Sequence, residues 1–189
     1  MKNAIKWICA LCAALLLIPS ALATDTASKP EEEGMSVTST AIVDGVLGDA
    51  YGKFGAQKRG SMPALSPPLT VVNPPESTVC YAVIMLDPDA KNWVHWLAAN
   101  IVLDEDGLLP ENASVEWADD MVQGKNDFGK TGYGGPTPPS GVHTYTITVY
   151  ALDAELPLKV NYSLKQLKTA MEEHVLAEAV IMGSYRSKK

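Results

Sequence analysis

Cysteine is scarce in this chain of 189 residues, and most of it lies where it cannot hold a fold together. Cys9 and Cys12 sit in the opening segment, which leaves Cys80 alone in the remainder. A lone thiol cannot close an intramolecular disulfide, so a domain built from this chain must rely on its core. Long apolar runs are scarce too. Trp7–Ile18 falls short of the about 20 residues that a membrane-spanning helix needs, and no later stretch replaces it. Positive charge is in deficit: 15 Lys and Arg against 22 Asp and Glu give −7 at neutral pH. Such a surface repels nucleic acid and anionic membranes at long range, so nucleic acid is not an expected partner. A phosphate-bearing ligand must instead be held by local groups in a pocket. Internal repeats are absent as well, and so are low-complexity stretches in the body of the chain.

The opening segment carries an address. Lys2 and Lys6 precede the apolar run, Pro19 and Ser20 break it, and Ala21-Leu22-Ala23 supplies small residues in the A-x-A pattern of a secretory signal peptide. Cys9 and Cys12 lie inside the run rather than at its end, unlike a lipid-attachment cysteine. The expectation is export to the periplasm or the extracellular space, with residues 1–23 removed. Residues 24–34, with Pro30, Glu31, Glu32 and Glu33, read as a flexible polar tether, and 35–189 as a single domain. Cleavage removes two lysines and no acid, so the mature chain has 13 basic and 22 acidic residues, a formal charge of −9.

From Met35 onward the texture is that of β-structure. Val37–Val43 is rich in β-branched residues and ends at the turn Asp44-Gly45. Residues 51–68 are Gly- and Pro-rich and read as loop. Val79–Leu86 and Trp93–Leu103 are nearly continuous apolar runs joined by a short stretch of turn formers, which predicts an antiparallel hairpin. Thr144–Leu152 alternates Thr144, Thr146 and Thr148 with Tyr145, Ile147 and Val149, the pattern of a strand with one buried face. One helix is predicted, from a capping box of Ser163 and Gln166 to about His174, with Leu164, Leu167, Ala170 and Met171 on one face. Ala177–Tyr185 reads as a final strand. The class is mainly β, with helices at the periphery.

Strand alternation brings chemistry to one end of this sheet. Val79, Tyr81, Val83, Met85 and Asp87 share a face; so do Trp93, His95, Leu97 and Ala99, and so do His143, Tyr145, Ile147 and Val149. Asp87, His95 and His143 are thus ionisable residues at the ends of apolar faces. Before His143 runs Gly132-Tyr133-Gly134-Gly135-Pro136-Thr137-Pro138-Pro139-Ser140-Gly141. Glycine lets backbone approach a ligand, and N–H groups in such a loop can form an anion-binding concavity, so Gly134, Gly135 and Gly141 are candidates.

Asp87-Pro88-Asp89-Ala90, Trp93-Val94-His95-Trp96, Tyr133-Gly134-Gly135-Pro136 with Pro138-Pro139, and Gly141-Val142-His143 resemble, in that order, the motifs of the phosphatidylethanolamine-binding (Raf-kinase-inhibitor-like) family. The likeness continues through Val149–Asp153 and His174–Ala179. It implies a large central antiparallel sheet packed with a smaller sheet, peripheral helices including one near the C-terminus, and a shallow cavity for phosphate-type anions or phospholipid headgroups. Its walls would be Asp87, Trp93, His95, Gly134, Gly135, Pro138, His143 and Tyr145. It implies a binding protein with no catalytic residues, no cofactor and no metal, and a protein partner that it inhibits as a further role. The chain departs from the family's pattern at Lys91, where a proline is usual, at Thr144, where an arginine often stands, and over Ser61–Leu65. The rival readings are a metal-dependent enzyme using Asp87, His95 and His143, and a hydrolase in which Ser140 joins His143 and Asp87. Against them stand the lack of a metal-ligand spacing and of a G-x-S-x-G elbow.

Overall fold

The computed structural model describes residues 34–188. In chain order these form β1 (Ser36–Thr38), β2 (Ile42–Val43), β3 (Val46–Leu47), β4 (Lys58–Arg59), β5 (Met62–Pro63), β6 (Leu69–Val72), β7 (Cys80–Asp87) and β8 (Trp93–Ile101). Then follow β9 (Leu108–Leu109), α1 (Ala113–Glu116), β10 (Val122–Gln123), β11 (Val142–Leu152), α2 (Leu164–Met171) and β12 (Val175–Arg186). Short 3-10 turns occupy Asp49–Tyr51 and Pro88–Ala90. The expected signal peptide and all of the expected tether except Gly34 lie outside the described residues. Among the described residues no helix is long and apolar enough to cross a membrane.

Seven strands make the main sheet in the order β10-β8-β7-β11-β12-β3-β2, and β1-β6-β9 make a smaller one. The main sheet is antiparallel except where β12 meets β3 in parallel, at Ser184 opposite Val46. The Gly- and Pro-rich stretch expected to be loop contains one small hairpin, β4–β5. Asp44 and Gly45 both have positive φ and turn β2 into β3, as a tight hairpin requires.

Apolar alternation decides what each face covers. Val83, Met85, Trp96, Ala98, Tyr145, Ile147 and Val149 of the main sheet bury against Val37, Leu69, Val71 and Leu109 of the small one. On the other side Ala82, Ile84, Leu97 and Ala99 bury under Leu167 and Met171 of α2. Helix α2 starts at the predicted capping box: Ser163 Oγ accepts the Gln166 N–H, and Gln166 Oε1 accepts the Ser163 N–H at 2.9 Å. It stops at Met171, short of His174, which lies beyond the helix and donates through Nδ1 to Asp153 Oδ1 at 2.8 Å.

The hairpin β7–β8 differs from simple alternation. Met85 pairs with Trp96 and Leu86 with Val94, so His95 has no residue opposite it. This one-residue bulge shifts the alternation of β8. Trp96 and Ala98 join the face of Met85, while Leu97 and Ala99 turn to α2 instead of sharing a face with His95 as the alternation alone predicts. Lys91 and Asn92 make the reversal with φ of 59° and 60°, a left-handed conformation closed to proline. The short connection therefore accounts for lysine where the family pattern has proline.

Candidate functional site

The ends of β7, β8 and β11 enclose a cavity of about 320 Å³ lined by Asp87, Trp93, His95, Pro138 and Tyr145, together with Ala90, Phe128, Thr137 and Pro139. Asp87, His95 and Tyr145 are all buried. The apolar part of the wall is ordered by ring contacts: Phe128 meets Trp93 edge-on at 5.7 Å, and His95 meets Phe128 and Tyr145 edge-on at 5.6 Å and 5.1 Å.

Asp87 is the last residue of β7 and is held from two sides. Its Oδ1 accepts the Ala90 N–H at 3.1 Å and so caps the Pro88–Ala90 turn; its Oδ2 accepts from His143 Nδ1 at 2.8 Å. Asp89 in the same turn accepts the Thr144 N–H at 2.8 Å, which ties the turn to β11. His143 therefore stands beside Asp87 as a positioning residue and does not itself line the cavity.

His95 is reached through its bulge. Its Nδ1 lies 2.5 Å from the Gly134 carbonyl oxygen. A carbonyl only accepts, so Nδ1 carries the proton and Nε2 of the neutral ring is an acceptor. Burial lowers the pKa of His95 below the usual histidine value; the Gly134 carbonyl, Asp87 and Asp127 oppose that, and His143 adds to it. Burial also holds the Tyr145 phenol protonated far above its usual range, with the Asp87 charge reinforcing it. The Tyr145 hydroxyl makes no well-formed hydrogen bond, although it lies close enough to the Asp87 carboxylate for the two to interact.

The two glycines correct an expectation. The Gly134 N–H donates to the His95 carbonyl at 2.9 Å and the Gly135 N–H to the Pro63 carbonyl at 3.0 Å, so neither is free to hold an anion. They are glycines because of packing. A Cβ on Gly135 would lie 2.1 Å from the Tyr51 carbonyl oxygen, and one on Gly134 would lie 2.6 Å from the Phe128 ring. Both support the pocket from behind.

Phe128 is the wall residue that sequence reasoning missed. Its signal was faint: one of only two phenylalanines in the chain, set in the polar turn Asn126-Asp127-Phe128-Gly129. The donor set behind the metal reading also changes. The potential ligand atoms that lie within 4.8 Å of one another belong to Asp87, Asp89 and His143, without His95. Those residues are already bonded within the protein, His143 to Asp87 and Asp89 to Thr144.

A mainly β protein with a small, aromatic-walled pocket at the strand ends of its main sheet is a recognisable class of ligand-binding fold. Residues 38–186 match the phosphatidylethanolamine-binding protein family model, and the chain belongs to that family. It is 45% identical over 127 residues to a UPF0098 protein of Methanothermobacter thermautotrophicus, covering 65% of this chain and 83% of that one. It is 40% identical over 153 residues to the uncharacterised protein YxkA of Bacillus subtilis, covering 71% and 90%. Among solved structures it resembles a phosphatidylethanolamine-binding protein homologue, CT736, from Chlamydia trachomatis, with a TM-score of 0.70 and 31% identity over 82% of this chain and 99% of the other. YbcL of Escherichia coli, a member of the same family, gives 0.69 and 31% over the same shares.

Proposed function

We propose that this protein is an exported, non-catalytic binding protein whose pocket takes a phosphate-type anion of single charge, either a phosphate monoester bound with uptake of a proton or the diester of a phospholipid headgroup, which carries one charge already and needs none. The observation that carries this reading is the Tyr145 hydroxyl, buried beside Asp87 and His95 without a well-formed hydrogen bond, in a wall built largely of aromatic and proline side chains. A buried donor left unpaired is costly, and a ligand oxygen would satisfy it. The cavity volume lies at the lower end of the about 300–1,000 Å³ usual for ligand pockets, which suits a headgroup rather than acyl chains.

The charge balance sets the protonation. At neutral pH the buried part of the wall offers one donor, the Tyr145 O–H, and two acceptors, the Asp87 carboxylate and His95 Nε2, while half-buried Thr137 and exposed Trp93 add a hydroxyl and an indole N–H. A doubly charged phosphate would face the Asp87 charge with neutral donors only. A singly protonated phosphate fits: one oxygen accepts from Tyr145 and its P–OH donates to His95 or Asp87. Protonation of His95 instead gives the same stoichiometry, one proton taken up. Hydrolysis has no support here, since Ser140 is exposed and bonds neither His95 nor His143.

Affinity for phosphoethanolamine should therefore fall as pH rises through the phosphate's second pKa of about 6, approaching tenfold per pH unit for one proton. Calorimetry at pH 6 and 8, in buffers of different ionisation enthalpy, should report uptake of about half a proton at pH 6 and nearly one at pH 8. Affinity independent of pH, or no binding at either pH, overturns the reading. Sedimentation with phosphatidylcholine vesicles containing phosphatidylethanolamine separates a membrane-borne headgroup from a free phosphate ester. Export is tested by intact mass: a secreted product beginning at Thr24 supports it, and retention of Met1 overturns it.

A further inference from the structure

Phe128 lines two hollows: the Asp87–His95–Tyr145 pocket, and a recess of about 380 Å³ lined also by Arg59, Gly60, Ser61, Met62 and Lys130. Hairpin β4–β5 supplies one wall and the turn after Asn126 the other. Met62 is buried, while Arg59, Ser61 and Lys130 are exposed. The Arg59 guanidinium is held in place by one of its N–H groups, Nη2 donating to the Thr131 carbonyl at 2.8 Å. Neither Arg59 nor Lys130 forms an ion pair among the described residues. Asp127, beside Phe128 in sequence, spends its carboxylate on the Val94 N–H at 2.7 Å. Two unpaired cations thus line one hollow of a chain whose net charge is −7, a single side chain away from the proposed phosphate pocket.

We propose that this recess is a second subsite, which takes a further anionic group on the same ligand. The preferred ligand is then a phosphate ester of the phosphoserine type, with a carboxylate that reaches past the Phe128 ring to Arg59 and Lys130. This rests on the reading of the first pocket as a phosphate site. The guanidinium fork and the ammonium both donate to a carboxylate, and Ser61 offers a hydroxyl beside them. Because the cations are exposed, the gain is modest, about threefold to tenfold for the two together at low salt, and it shrinks as salt is added.

Phosphoserine and phosphoethanolamine differ by that carboxylate alone, so the ratio of their affinities reads the recess directly. Calorimetry on the mature protein should give a ratio of about threefold to tenfold in favour of phosphoserine. The ratio should collapse to about one in Arg59→Ala/Lys130→Ala and invert in Arg59→Glu/Lys130→Glu, with folding of each variant verified by circular dichroism. Phosphoethanolamine binding with no preference in the unmodified protein overturns this inference alone. A preference that survives the double alanine variant also overturns it. No binding of either ester overturns it together with the phosphate reading. Sedimentation with phosphatidylserine-containing against phosphatidylethanolamine-containing phosphatidylcholine vesicles identifies whether the phosphoserine group is presented by a membrane or free.

Discussion

Tyr145 ends in a hydroxyl that the fold buries and leaves unpaired, although the strand would accept phenylalanine there without loss of packing. Its neighbours are bonded in other directions: Asp87 accepts from the Ala90 N–H and from His143, and His95 donates through Nδ1 to the Gly134 carbonyl, which leaves further lone pairs on Asp87 and His95 Nε2 for a ligand. An unsatisfied buried donor costs about 1–3 kcal/mol, so Tyr145→Phe should leave stability unchanged or raise it by about 1 kcal/mol. For a chain of this size that is a rise of about 2–4 °C in Tm. The same variant should lose about tenfold in affinity for phosphoethanolamine, because an anion's hydrogen bond contributes about 1.5–3 kcal/mol. Thermal unfolding and calorimetry on one preparation check both signs. A structural role predicts a loss of stability instead, and an unchanged affinity removes Tyr145 from the site.

Elements differ in how openly the sequence declares them. Strands β7, β8 and β11 announce themselves through apolar runs and through Thr alternating with larger residues, and α2 through its cap and its Leu167–Met171 stripe. That cap makes a clean test. Ser163→Ala removes the acceptor for the Gln166 N–H and should cost about 1 kcal/mol. Helix α2 covers the face of β7 and β8 opposite the Met85 and Trp96 side, so ligand affinity should not change. Denaturant unfolding and calorimetry distinguish this from a variant that disturbs the pocket. The bulge at His95 was not legible, because an inserted residue leaves composition and apolar content untouched and shows only in which partner faces which. Asp87 and Tyr145 could be placed because β7 and β11 alternate normally up to them. His95 landed on the site by a route the alternation did not contain, and Trp96 entered the core for the same reason. The roles of Gly134 and Gly135 were hidden because they depend on Tyr51, Pro63 and Phe128, all distant in sequence. The recess at Arg59 and Lys130 was equally out of reach: hairpin β4–β5 lies in a stretch that reads as plain loop, and its two cations are some seventy residues apart in sequence.

On the scale of the whole molecule, pH acts through few groups. Between about pH 8 and pH 5.5 ordinary carboxylates stay ionised, so the acidic excess of the chain changes through its three histidines and the terminal amine. The environment of His95 works against its charge. Burial lowers its pKa, and the two carboxylates that face it, Asp87 and Asp127, together with the Gly134 carbonyl, do not overcome that; His143 adds to it. The folded protein therefore binds fewer protons at this position than the unfolded chain does. Stability must then rise with pH, and it is lost as pH falls below the unfolded histidine value of about 6.5 toward the depressed folded one. A single proton limits the slope to about 1.4 kcal/mol per pH unit. His95→Asn keeps an N–H for the Gly134 carbonyl and cannot be charged, so it removes this contribution while preserving the bond that anchors the glycine loop. The midpoint of thermal unfolding, followed from pH 8 to 5.5 without ligand, should fall more steeply in the unmodified protein than in His95→Asn. Phosphoethanolamine should oppose that fall, since a bound anion favours the protonated site. Parallel curves for the two proteins would mean that His95 is not held neutral by burial, and its ring would then be as ready a place as the phosphate for the proton taken up on binding.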